Sequence, residues 1–151
     1  MNIEVKSESE MKTFGGKLGA LLRGGEIIEL AGDVGAGKTT LTKAIAKGMG
    51  IDEDVQSPSF TISRVYESPS GTMLAHYDFY RLSDAGIMGD ELQETIHDPK
   101  SVTIIEWAGI IDDILPRDRL TVTFFTTGEE SRRLTLTPGG EVSTRLREAL
   151  R

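Results

Sequence analysis

Apolar positions along the chain switch between a period near two and a period near three and a half, and the switches predict the elements. Ile3-Glu4-Val5 alternates like a short strand. Ser7 and Glu10 make a capping-box pattern ahead of Met11, Phe14, Leu18 and Leu21 at helical spacing, and Gly24-Gly25 stops that helix. Residues 26–31 read as a strand that delivers the chain directly into a glycine-rich stretch. Beyond it, Leu41, Ala44, Ile45 and Met49 mark one face of a helix ending near Gly48 to Gly50. Residues 60–66 and 73–80 predict a hairpin about the turn Ser68-Pro69-Ser70-Gly71. A polar helical stretch follows at 84–96, and Val102-Thr103-Ile104-Ile105 has the apolar density of a central strand, ending in Glu106-Trp107. Residues 120–125 and 133–137 predict strands flanking a turn at Gly128, and 141–150 a closing amphipathic helix.

Strands alternating with helices imply an α/β fold, and the hairpins imply antiparallel additions to a mostly parallel central sheet. The expected architecture is a three-layer sandwich, built as one domain over residues 1–151. Composition narrows the chemistry. Cysteine is absent, so there is neither a disulfide framework nor a thiolate metal site, and any metal must be held by oxygen. His76 and His97, far apart in sequence, make a poor basis for zinc. A formal charge of −7 disfavours a broad footprint on a nucleic-acid backbone, so a role in RNA biology would run through partners. The N-terminus lacks a leader pattern and no apolar run approaches membrane-spanning length, which leads to the expectation of a cytoplasmic protein that does not engage a membrane.

Between the second predicted strand and its helix lies Gly32-Asp33-Val34-Gly35-Ala36-Gly37-Lys38-Thr39-Thr40. Successive backbone N–H groups on such a turn can surround a triphosphate closely, because glycine admits conformations that other residues resist. Lys38 is placed to meet the β- and γ-phosphates, and the Thr39 hydroxyl to ligate Mg²⁺. The second half of such a site is an acid at the end of an apolar strand, and Glu106 fits. That strand ends Glu-Trp, one carboxylate where many ATPases have two, so another acid must come from elsewhere. In His76-Tyr77-Asp78-Phe79-Tyr80-Arg81 a period of two puts His76, Asp78 and Tyr80 on one face. Asp78 is a candidate to accept a proton from the attacking water or to hold a metal-bound water, with His76 orienting it; a solvated strand face is the alternative. The hydroxyls of Ser57-Pro58-Ser59-Phe60-Thr61 stand where a nucleotide-sensing switch occurs, or in an ordinary turn entering a strand. Trp107 fits core, interface or base-stacking surface.

These motifs, in this order and in a chain this short, resemble the TsaE family of bacterial P-loop ATPases. The resemblance implies an ATPase that uses ATP and Mg²⁺ in forming the threonylcarbamoyl modification on the adenosine next to the anticodon of tRNAs reading codons that begin with A. It implies docking on a TsaB–TsaD heterodimer, with tRNA met only through that complex. Carried over, Lys38 and Thr39 hold phosphate and Mg²⁺, Glu106 is the Walker B acid, Asp78 is critical for hydrolysis, and Ser57 to Thr61 form the switch. Ser9 and Arg133 fall in the regions from which the family draws its adenine pocket. Residues 83–100 depart from the family pattern. A small-molecule kinase is the rival reading; it requires a basic lid, and the only close basic pair after the Glu106 strand is Arg132-Arg133, in a predicted hairpin. A GTPase-type switch is disfavoured because the guanine-specifying Asn/Thr-Lys-x-Asp pattern is absent.

Overall fold

The computed structural model describes residues 1–32, 37–55, 63–79 and 86–151. Strand β1 (Asn2–Val5) leads into helix α1 (Glu8–Leu21), β2 (Ile27–Ala31) into α2 (Lys38–Gly48), and the hairpin of β3 (Ser63–Glu67) and β4 (Met73–Asp78) into α3 (Gly86–Ile96). After β5 (Ser101–Glu106) comes a 3-10 segment (Ala108–Ile114), then the hairpin of β6 (Leu120–Thr126) and β7 (Arg132–Pro138), and α4 (Glu141–Ala149). The seven strands form one sheet in the order β1-β7-β6-β2-β5-β4-β3. Its centre, β6-β2-β5-β4, is parallel throughout. The antiparallel pairs lie at its flanks, β3 on β4 at one side and β6-β7-β1 at the other. The predicted parallel centre with antiparallel additions is the observed arrangement.

Burial follows from that order. Every residue of β5 is buried, as expected of a central parallel strand covered on both faces. On one face Ile28, Leu30, Leu74, Val102, Ile104, Val122, Phe124, Leu134 and Leu136 pack beneath Met11, Phe14 and Leu18 of α1, Leu41 and Ile45 of α2, and Leu146 of α4. On the other, Ile27, Ala75, Tyr77, Phe79 and Ile105 pack beneath Leu92 and Ile96 of α3 and Ala108 and Ile111 of the 3-10 segment. The second outer layer therefore sits over β2, β5 and β4. Among the described residues no helix is long and apolar enough to cross a membrane.

Helix α1 begins as its capping pattern predicts, with the Glu10 N–H donating to Ser7 Oγ at 3.2 Å. It lies close against α2 because glycines face the contact. A Cβ on Gly15 would strike the Ala44 methyl, and one on Gly19 the Ile45 carbonyl oxygen. Two features escape the pattern reading. The 3-10 segment has no helical repeat to announce it and is entered through Trp107, whose backbone is left-handed at φ 58. Helix α4 has glycine at its N-cap, and the missing cap is supplied from the loop before β6. There Asp118 accepts from the N–H of Val142 at 2.8 Å and of Ser143 at 2.9 Å.

Candidate nucleotide site

Strand alternation and parallel register bring the chemistry to one edge of the sheet. On β2, Ile28 and Leu30 face α1 and α2, and the strand ends at Ala31 beneath the start of the glycine-rich stretch. Gly32 has φ 127, and a Cβ there would lie 2.8 Å from the Phe124 carbonyl oxygen, so the turn out of β2 requires glycine on both counts. Gly37, at the N-cap of α2, has φ 103, and its Cβ would meet Met11 Cε at 3.1 Å. With no side chain of its own, Gly37 leaves the first-turn N–H groups of α2 to other acceptors, at the positive end of the helix dipole. Asp33, Val34, Gly35 and Ala36 lie outside the described residues.

Lys38 opens α2 and is buried, at 6% exposure. Its Nζ sits 4.2 Å from the centroid of the Trp107 ring, a cation–π contact. Trp107 packs partly buried against the second core, so both its core and its site associations are present in one residue. Its left-handed backbone is a strained state for a bulky side chain, costing on the order of 1–3 kcal/mol, and it directs the ring toward Lys38. Thr39 is exposed on the first turn of α2 and, with Thr40, Lys43, Lys47 and Asp52, lines a cavity of about 810 Å³.

The two candidate acids stand on neighbouring strands. Asp78 ends β4 and Glu106 ends β5, and they are direct partners in the parallel register, while Glu106 also pairs with Leu30 of β2. The Phe79 N–H donates to the Glu106 carbonyl at 3.1 Å, holding the two strand ends together. His76, Asp78 and Glu106 share the face that carries Leu74 and Ile104, under α2. All three are buried, at 1%, 8% and 5% exposure, so the solvated-face alternative for this segment is overturned. His76 does something the sequence did not suggest. Its Nε2 is 2.6 Å from Glu106 Oε2, so it engages the strand-end acid of β5. Tyr80, Arg81, Ser57, Pro58, Ser59, Phe60 and Thr61 lie outside the described residues.

A second, smaller recess of about 220 Å³ opens beside the helix N-terminus, lined by Ser7, Glu8, Met11, Gly37, Thr40, Glu129, Glu130 and Arg132. Neither Ser9 nor Arg133, the two residues expected near an adenine pocket, is among the residues lining this recess. Ser9 is exposed on α1, and the residues of that region lining the recess are Ser7, Glu8 and Met11. Arg133 stands on the opposite face of β7, exposed, with its guanidinium 5.5 Å from the Phe125 ring, and Arg132 takes the place beside Gly37. The alternation of β7 could have shown this, since Arg132 shares its face with Leu134 and Leu136.

The donors available suit a hard divalent cation. They are a threonine hydroxyl and two carboxylates, and the chain has no cysteine. Among the described residues no group of three or more His, Cys, Asp or Glu could hold a metal by itself. Magnesium typically binds through one or two carboxylates together with substrate phosphate.

Comparison with known proteins identifies the family. The family model described as "Threonylcarbamoyl adenosine biosynthesis protein TsaE" matches residues 5–134. The tRNA threonylcarbamoyladenosine biosynthesis protein TsaE of Bacillus subtilis (strain 168) is 38% identical over 133 residues, covering 87% of this chain and 81% of that protein. The protein of the same name from Streptomyces coelicolor is 38% identical over 136 residues, covering 87% of this chain and 92% of its own. A crystal structure of YdiB from Bacillus subtilis superposes with a TM-score of 0.81 at 32% identity, covering 99% of this chain and 93% of that one.

Proposed function

Because the chain belongs to the TsaE family of threonylcarbamoyl adenosine biosynthesis proteins, we propose that it is a magnesium-dependent ATP hydrolase, a single P-loop domain that docks on TsaB–TsaD and supports its turnover in the cytoplasm. One observation carries the reading. The C-terminal ends of β2, β5 and β4 lie side by side, so Gly32, Glu106 and Asp78 stand at one edge of the sheet, where Lys38 meets Trp107, the residue after Glu106. Ligand sites of open parallel sheets form at that edge.

In this reading Lys38 leaves the Trp107 ring to meet the β- and γ-phosphate oxygens, and the first-turn N–H groups of α2 bind the same anion. Thr39 and Glu106 hold magnesium, which when bound neutralises charge on the phosphoryl oxygens. Asp78 orients the attacking water and takes its proton. Arg132, beside Gly37, borders the recess that would receive the base. Its Nη1 donates to the Ser131 carbonyl at 2.8 Å and the Gly128 carbonyl at 3.2 Å, which ties it into the hairpin turn and argues against a kinase-type mobile lid.

The test compares Asp78→Asn with Glu106→Gln, neither of which changes side-chain size. If Glu106 holds the metal, its amide weakens Mg²⁺-supported ATP binding and hydrolysis together, because a neutral oxygen is a poorer ligand for a hard dication. If Asp78 serves the water, its amide leaves ATP binding within about threefold and cuts single-turnover hydrolysis by roughly 100-fold or more. Complex formation with purified TsaB and TsaD plus ATP is read on the same samples. Normal hydrolysis by Asp78→Asn would remove it from the catalytic role, and absence of a complex with the wild-type chain would remove the partner assignment.

A further inference from the structure

We propose that His76 is the positioning residue for Glu106, holding one carboxylate oxygen so that the other is aimed at the metal, an inference that rests on the reading of Glu106 as the metal-side acid. The contact is short and dry. Nε2 is 2.6 Å from Oε2, with the two side chains 1% and 7% exposed. An ionised carboxylate has no proton to give, so the imidazole donates its Nε2–H. That leaves Nδ1 on the far side of the ring, and Nδ1 is buried with no hydrogen-bond partner among the described residues.

This unpaired nitrogen separates a positioning role from a packing one. A side chain present only to fill the space between Leu74 and Asp78 on this face would be aliphatic, since an unsatisfied buried polar atom destabilises the fold. A histidine kept there at that cost is accounted for by its Nε2–H. The register explains the direction of reach. His76 is the cross-strand partner of Ile104, and Asp78 is the partner of Glu106, so the imidazole reaches diagonally forward to the carboxylate one strand over. Glu106 is thereby held through Oε2 from within the core, and Oε1 is left to serve the metal. Losing a residue that fixes a ligating carboxylate in this way typically costs about 10- to 100-fold in metal affinity.

The experiment measures the Mg²⁺ concentration needed to support binding of a non-hydrolysable ATP analogue, the analogue's affinity in EDTA, and the melting temperature, for His76→Leu, His76→Gln and Glu106→Gln. His76→Leu is expected to raise the Mg²⁺ midpoint by about 10- to 100-fold while leaving the metal-free affinity unchanged. His76→Gln, whose amide N–H can reach the Nε2 position, is expected to restore the midpoint. An unchanged midpoint in His76→Leu, alongside a raised one in Glu106→Gln, overturns the role of His76 alone. An unchanged midpoint in Glu106→Gln overturns the metal assignment of Glu106 and this proposal with it. Equal shifts in the leucine and glutamine variants, with equal losses of melting temperature, would mark His76 as structural. Should His76→Leu fail to fold, His76→Asn replaces it, because its shorter amide cannot reach Oε2 and must behave differently from glutamine.

Discussion

Lys38 is a cation buried before any phosphate reaches it, and the face of Trp107 is part of what makes that tolerable. A desolvated cation over an indole is stabilised by about 0.5–2 kcal/mol, less than a charge-assisted bond to a phosphate oxygen offers. Lys38→Ala is expected to lose about 1.5–3 kcal/mol of ATP binding, roughly 10- to 150-fold in Kd, and hydrolysis with it, because the same cation faces phosphate in the ground and transition states. Calorimetric titration with ATP and a turnover assay check this, and unchanged turnover would defeat the P-loop assignment. Thr39→Ala tests the neighbouring residue. Loss of a hydroxyl ligand should raise the Mg²⁺ requirement while leaving metal-free nucleotide binding intact, and a magnesium titration matching wild type would count against it.

Two glycines three residues apart in α1 make opposite predictions about how that helix meets α2. Gly19 faces the Ile45 carbonyl and has no room for a methyl, so Gly19→Ala should destabilise by about 1–3 kcal/mol through overpacking, despite the better helix propensity of alanine. A Cβ on Gly16 meets nothing within 4 Å, so Gly16→Ala should gain up to about 1 kcal/mol. Thermal melts of the two variants should move in opposite directions. At the other end of the chain, burial raises the Asp118 pKa, but donation from the Ser143 hydroxyl and the Ser143 and Val142 N–H groups outweighs it and holds the carboxyl below its ordinary value. The stability this cap contributes is present above the unfolded pKa of about 4 and is lost as pH falls through the lower folded value. Asp118→Ala should thus cost about 1 kcal/mol at pH 7, and the gap in melting temperature from wild type should close toward pH 3. This cap also shows where the sequence stops being legible. The start of α1 is readable because Ser7 and Glu10 are local, whereas α4 begins at Gly140 and is capped by a residue 24 positions before Val142. The same division runs through the site. Gly32, Gly37, Lys38 and the two strand-end acids follow from local pattern, while the His76 to Glu106 bond spans 30 residues and depends on a β4–β5 register that no local signal specifies. That Arg132 lines the recess while Arg133 lies on the other face was open to the alternation of one strand.

At the scale of the whole molecule, the candidate site is assembled from parts far apart in the sequence that the fold brings together. The turn after β2 and the start of α2 supply Gly32 and Lys38, β4 and β5 supply Asp78 and Glu106, and α1 with the β6–β7 hairpin walls the recess beside Gly37. A ligand bridging these parts stabilises the folded state as a whole, since none of them is juxtaposed in the unfolded chain. At a free concentration one hundred times Kd, a ligand bound only by the native state adds about 2.7 kcal/mol. For a domain of this size that corresponds to a rise in melting temperature of about 5–10 °C. The expectation is that Mg²⁺ with ATP produces this rise in the wild-type chain and that ATP in EDTA produces less of it. Lys38→Ala should show little rise at the same nucleotide concentration, and Asp78→Asn should keep nearly all of it, because a residue serving the attacking water contributes little to ground-state binding. GTP is the informative control, since a site that binds only through phosphate and metal would respond to both nucleotides alike, whereas contacts to the base in the recess bordered by Met11 and Arg132 would separate them. Scanning calorimetry across these conditions reads the outcomes together, and an equal rise in the wild-type and Lys38→Ala chains would show that the nucleotide binds elsewhere than at the start of α2.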